Sequence, residues 1–175
     1  FDSTVISASL ARLVDYLLKR GHEVLVAVHT AEACKLDQGR VATLQEIGSR
    51  ADLAIVMGGD GTLLNVARIL VDRQVPIVGI NQGRLGFLAD VSLDTMCSTL
   101  DAMLAGEYIA EDRILLDCHM ERNEVRSLST YAFNDVVVSK STLGRLIEFE
   151  VYIDNHFVYS QRADGLVVAT PTGST

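Results

Sequence analysis

The chain has 175 residues, 49% hydrophobic and 22% charged, enough for one large or two small domains with a core of their own. A net charge of −8 and a pI of about 4.9, with no Lys/Arg cluster, exclude a basic nucleic-acid-binding face, and no apolar run reaches membrane-spanning length. Three cysteines in no metal-ligand spacing, Cys34, Cys97 and Cys118, exclude a zinc framework and read as buried free thiols of a cytoplasmic protein.

In chain order, residues 3–20 have Ile6, Leu10, Leu13, Val14 and Leu17 at helical spacing, with Gly21 as the stop. His22 to His29 is an apolar, β-branched run and reads as a buried strand; residues 31–40 read as a loop and Val41 to Ile47 as a short helix. The run "ADLAIVM" is a second buried strand, continuous in apolar character as covered parallel strands are. It ends in Gly58-Gly59-Asp60-Gly61-Thr62, after which Leu63, Val66, Ala67 and Leu70 define a helix. "VPIVGI" is a third strand, "NQGRLGFLADV" a glycine-punctuated loop, and Met96, Leu100, Met103 and Leu104 stripe another helix. This alternation predicts a Rossmann-like α/β domain with a parallel sheet over residues 1–110.

From residue 111 the pattern is all strand: "RILLDCHMER", "LSTYAFNDVVVS", "LIEFEVYID", "HFVYSQ" and "GLVVAT", with Asp154-Asn155 as a hairpin turn. Residues 111–175 are therefore expected to begin an all-β sandwich domain, incomplete as it stands. A chain that opens on Phe1 and stops inside Pro171-Thr172-Gly173-Ser174-Thr175 reads as a piece of a longer protein.

Four stretches carry candidate chemistry. In Gly58 to Thr62, glycines let amide N–H groups approach phosphate oxygens and the following helix start adds partial positive charge. No Walker loop occurs, and G-x-G-x-x-G fails where Leu64 replaces the third glycine. A carboxylate in a phosphate-facing turn would repel its ligand unless Asp60 accepts a proton from an attacking hydroxyl or helps hold a divalent cation, both of which belong to phosphoryl transfer. The plain alternative is an Asp capping a helix. In "NQGRLGFL", Phe87 could stack on a base and Asn81 could hydrogen-bond a ligand, or Phe87 could simply anchor a surface loop. Asn134-Asp135 suits ribose hydroxyls, or is a turn before a strand. In "QRADGLVVATPTGST", Arg162 and Asp164 flank a turn at Gly165, and residues 170–175 form a hydroxyl-rich loop. Arg145 is an exposed arginine or a phosphate contact.

The set and order of "GGDGT", "NQGRLGF", "ND" before a valine run and "RADGLVVATPTGST" resemble bacterial NAD kinases over nearly the whole chain. GGDGT alone is shared with lipid kinases of the diacylglycerol and sphingosine type, and a similar turn with sugar kinases of the phosphofructokinase type. The resemblance implies transfer of the γ-phosphate of ATP, or of phosphate from polyphosphate, to the 2′-hydroxyl of the adenosine ribose of NAD. It implies an α/β domain followed by a β-sandwich, an active site between them, Mg²⁺ or another divalent cation arriving with ATP, and a homodimer or homotetramer. By position, Asp60 matches the catalytic aspartate and Gly58, Gly59, Gly61 and Thr62 the phosphate-facing turn. Phe87 falls beside the adenine, and Asn134 and Asp135 match the pair that holds NAD. Arg145, Arg162 and Asp164 fall at NAD-contacting positions, and Thr175 opens a stretch lining the NAD pocket. A lipid kinase, or a nucleotide-binding module without catalysis, is the alternative; the motif set and the acidic balance weigh against the first.

Overall fold

The structure, a computed structural model, describes residues 3–82, 86, 88–140 and 145–174, with backbone alone for residues 3–5. The chain divides into two compact units, one ending at Glu111 and the other starting at Asp112. In the first, α1 (Ser3–Lys19) buries Leu13 and Val14 in two different clusters. Leu13 packs with Val78, Ile80, Met96 and Leu100, while Val14 packs with Val26 and Ala31. The helix ends where the sequence places its stop: Gly21 adopts φ 83°. The Gly21 and His22 amides donate to the Leu18 and Leu17 carbonyls, closing the last turn through a left-handed glycine.

The next stretch departs from the sequence pattern. Only Leu25–Ala27 is strand (β1). From Val28 the chain turns helical, as α2 (Val28–Cys34), where strand and then loop were expected. Arg40–Ala42 is a strand (β2) parallel to β1, with Leu25 opposite Arg40, not the start of a helix. The helix begins two residues later, as α3 (Leu44–Arg50), because Thr43 and Glu46 form a capping box. The Thr43 hydroxyl accepts from the Glu46 amide at 3.1 Å, and the Glu46 carboxylate accepts from the Thr43 amide at 2.8 Å. A reciprocal pair of this kind fixes a helix start more strongly than one apolar residue at Val41 can.

The main sheet has the order β3-β4-β5 and is parallel throughout: β3 (Ala54–Met57), β4 (Ile77–Asn81) and the short β5 (Val91–Ser92). Helix α4 (Asp60–Leu70) connects β3 to β4, and α5 (Met96–Leu104) follows β5. Ile80, Met96 and Leu100 have 0% of their surface exposed. The central strand and α5 therefore share one sealed core, and the parallel α/β architecture is the one the periodicity predicts.

The second unit is antiparallel. β6 (Leu116–Arg122) pairs with β7 (Val125–Ala132) through a two-residue turn in which Asn123 and Glu124 both have positive φ. β9 (Ile147–Ile153) pairs with β10 (His156–Ala163) through the predicted Asp154-Asn155 turn, at φ 50° and 63°. β8 (Asp135–Ser139) pairs with β11 (Gly165–Ala169). The predicted run 128–139 is thus two strands, interrupted at Phe133-Asn134. The valines Val137, Val138, Val167 and Val168 of the β8–β11 pair remain about half exposed.

Leu100→Ala in the intact protein should cost about 2–5 kcal/mol, read as a shift of the urea midpoint. Thr43→Ala should lower the thermal midpoint at neutral pH. The Thr43 amide, then its hydroxyl, holds the Glu46 carboxyl below its ordinary value of 4.5. That stabilisation is complete above 4.5 and disappears as the pH falls through the lowered value, so the gap between variant and parent should narrow in acid.

Candidate functional site

In the first unit the Gly58–Thr62 turn leaves the carboxyl end of β3 and starts α4. Gly58 continues the strand ladder, its amide donating to the Ile80 carbonyl at 2.9 Å. Its lack of a side chain is a packing need, since an added Cβ would lie 2.8 Å from the Thr62 hydroxyl. Gly59 and Gly61 differ: neither has positive φ, and an added Cβ at either meets nothing within 4 Å among the described residues. Neither backbone conformation nor packing against the described residues requires glycine at these positions. What glycine leaves there is main chain that an outside group can approach closely.

Asp60 is not the helix cap. The N-cap is Gly59, and no side chain caps α4. The carboxylate instead crosses to the segment after β4. Its Oδ1 accepts from the Leu88 amide at 3.2 Å and the Ala89 amide at 3.1 Å. An added Cβ on Gly86 would sit against both carboxylate oxygens. Asp60 is part-exposed and belongs to the first turn of an 11-residue helix, where negative charge is favoured by the helix dipole.

The amides that hold Asp60 are themselves held. Ala89 is 1% exposed and packs with Val56 and Leu63. Its carbonyl accepts from the Asn81 side-chain amide at 3.1 Å. Gly79 of β4 makes room for it, since a Cβ there would be 2.8 Å from the Ala89 Cα. Asn81, read from sequence as a ligand contact, thus spends its side-chain N–H on the loop. Gln82 Nε2, one residue on, is buried with no hydrogen-bond partner among the described residues. Phe87 lies outside the described residues.

In the second unit, the β8–β11 register places Ala169 opposite Asp135 and so sets the Asn134-Asp135 pair beside the 170–174 loop. The Asn134 carbonyl accepts from the Thr170 amide at 2.8 Å, and a Cβ on Gly173 would lie 2.7 Å from the Asn134 Cα. Thr170 is 1% exposed; its hydroxyl donates to the Phe133 carbonyl at 2.7 Å and accepts from the Gly173 amide at 3.1 Å. The Ser174 hydroxyl donates to the Pro171 carbonyl, and the Thr172 hydroxyl accepts from Arg113. The loop's hydroxyls therefore largely fold the loop itself. Asn134 Oδ1, in contrast, is buried without a partner among the described residues. Thr175 lies outside the described residues.

Asp164 pairs with Lys140, a residue the sequence reading passed over. They sit at the end of the β8–β11 pair opposite to Asn134, six residues of strand away, roughly 20 Å at the usual rise. Arg162, opposite Glu148, and Arg145, just before β9, lie at the shared end of the β9–β10 hairpin and are exposed. The strand pairing thus separates Asn134-Asp135 from Asp164. Among the described residues no group of three His, Cys, Asp or Glu side chains could hold a metal ion, and no helix is long and apolar enough to cross a membrane.

Fold and turn together define the class: a parallel α/β unit with a held carboxylate in a glycine turn at the sheet's carboxyl edge, followed by an antiparallel β unit. The ATP-NAD kinase N-terminal domain matches residues 5–108, and the ATP-NAD kinase C-terminal domain matches residues 133–175. The chain belongs to the ATP-NAD kinase family. It is similar to an NAD kinase of Thiobacillus denitrificans, at 48% identity over 100% of this chain and 60% of the relative. An NAD kinase of Nitrosomonas eutropha is 51% identical over 97% of this chain and 57% of its own length. The fold resembles that of a yeast NADH kinase crystallised with NADH, at 25% identity and a TM-score of 0.86, covering 97% of this chain and 55% of the other. The chain therefore spans less than two thirds of these relatives.

Thr170→Val removes a buried hydroxyl that both donates and accepts. The expected cost is about 1–3 kcal/mol, measured by denaturant unfolding of the intact protein.

Proposed function

We propose that the protein carrying this chain transfers the γ-phosphoryl group of ATP to the 2′-hydroxyl of the adenosine ribose of NAD, giving NADP and ADP. The observation that carries the reading is the Asp60 carboxylate, turned toward the segment after β4 and fixed there by two backbone amides, with main chain open to approach among the described residues at Gly59 and Gly61 on either side in sequence. The ribose oxygen forms its bond to the γ-phosphorus as the bond from that phosphorus to the β–γ bridging oxygen breaks. The hydroxyl proton passes to Asp60. A ribose alcohol is a weak nucleophile at neutral pH, and a positioned carboxylate raises its reactivity.

Gly58, Gly59, Gly61 and Thr62 are assigned to the phosphates, where main-chain N–H groups and the start of α4 favour negative charge. A divalent cation fits this donor set if the phosphates and water supply most ligands and Asp60 the protein's share, as Mg²⁺ commonly accepts. When bound it would offset charge on the transferring group. NAD is assigned to Asn134, Asp135, Arg145, Arg162, Asp164, Phe87 and Thr175. The Asn134 Oδ1, buried without a partner among the described residues, supports this, because a ribose hydroxyl or amino group would satisfy it. The separation of Asn134 from Asp164 suits an extended dinucleotide better than a compact ligand. Polyphosphate as an alternative donor to ATP, a homo-oligomeric assembly of the full-length protein and a cytoplasmic setting complete the proposal. The free state of Cys34, Cys97 and Cys118 supports the last of these.

The full-length protein with labelled ATP, Mg²⁺ and either NAD or diacylglycerol vesicles should place label in NADP; label in lipid alone rejects the assignment. Asp60→Asn keeps an oxygen for the Leu88 and Ala89 amides while removing the base. Turnover should fall about 10²–10⁴-fold with NAD affinity largely retained. Unchanged turnover would leave Asp60 as a tie between loop and helix and no more.

A further inference from the structure

We propose that Gly86 is a positioning residue for the Asp60 carboxylate, acting through space that any side chain would fill; this rests on Asp60 being the base. Among the described residues, the three atoms nearest to an added Cβ all belong to one side chain: both carboxylate oxygens of Asp60 and its Cγ, the last at 2.7 Å. No backbone atom is among them. The clash would therefore fall on the end of a short, rotatable side chain, and the fold can relieve it by letting the carboxylate turn away.

Turning away has a specific consequence. Oδ1 would leave the amides of Leu88 and Ala89, now at 3.2 and 3.1 Å. The Ala89 donor is held in place, because Ala89 is sealed against Val56 and Leu63, its carbonyl is tied to Asn81, and Gly79 lies directly behind it, while Leu88 packs against the same cluster. A methyl group at residue 86 thus moves the reactive oxygens relative to a fixed frame and leaves the frame intact. Small displacements of a reacting group are costly to turnover and cheap in binding when substrate is held elsewhere.

The test is Gly86→Ala in the full-length protein, assayed with ATP, Mg²⁺ and NAD. We expect a kcat lower by about 100-fold, KM values for both substrates within about twofold of the parent, and a thermal midpoint nearly unchanged. Combined with Asp60→Asn and read by single-turnover assay, Gly86→Ala should cause no further fall, since the group it displaces is already disabled. Normal kcat in Gly86→Ala overturns the proposal, as do a raised KM with unchanged kcat and an equal further loss in the Asp60→Asn background. A variant that fails to fold overturns it too, because the clash would then have fallen on the main chain. Loss of turnover in Asp60→Asn with normal Gly86→Ala rejects only the positioning role. Unchanged turnover in Asp60→Asn rejects the base itself, and the positioning role with it.

Discussion

One carboxylate bonded to two amides of another loop organises the first unit. Asp60 sits in the first turn of α4, where a short acidic side chain commonly serves the helix's own N–H groups. Here it reaches the Leu88 and Ala89 amides. A charged acceptor on two main-chain donors is a strong pairing by hydrogen-bond standards. It joins two connections of the parallel sheet at the edge where α/β sheets commonly bind ligands: the turn after β3 and the segment after β4. The glycines around it serve different ends. Gly58 admits Thr62, Gly79 admits Ala89, and Gly86 admits the carboxylate itself, while Gly59 and Gly61 admit nothing among the described residues.

The second unit depends on a register. Pairing of β8 with β11 sets Asp135 against Ala169, which delivers the Thr170 amide and hydroxyl to the carbonyls of Asn134 and Phe133. Those two bonds lie where the strand run predicted over 128–139 is interrupted, between β7 and β8. The same bonds fold residues 170–174 over Asn134, and the amide oxygen of Asn134 is left buried without a partner among the described residues. Such an oxygen is costly to keep unless something else satisfies it in the working protein.

The positions of the main strands, of α4 and α5 and of the Asp154-Asn155 turn were legible because apolar periodicity and turn chemistry are local signals. The stretch from His22 to Ile47 misled, since an eight-residue apolar run does not reveal that only Leu25 to Ala27 find a partner strand. The capping residues Thr43 and Glu46 stood in the sequence, yet apolar Val41 outweighed them in locating the helix. The relation to the ATP-NAD kinase family was also readable from residues alone, because its motifs are short, contiguous and ordered along the chain.

What the sequence by itself determined is therefore the order of the main elements outside residues 22–47, the acidic glycine turn and the choice of residues assigned to chemistry. The tertiary structure alone decided where the Asp60 carboxylate points, that Gly86 lies against it, that Asn81 serves a loop carbonyl, and that Asn134 and Asp164 stand at opposite ends of one strand pair. Each of these joins residues distant in sequence: Asp60 and Ala89, Asn81 and Ala89, Asn134 and Thr170. A local pattern specifies the conformation of a segment. Which donor meets which acceptor across segments follows only once packing has fixed the register between them.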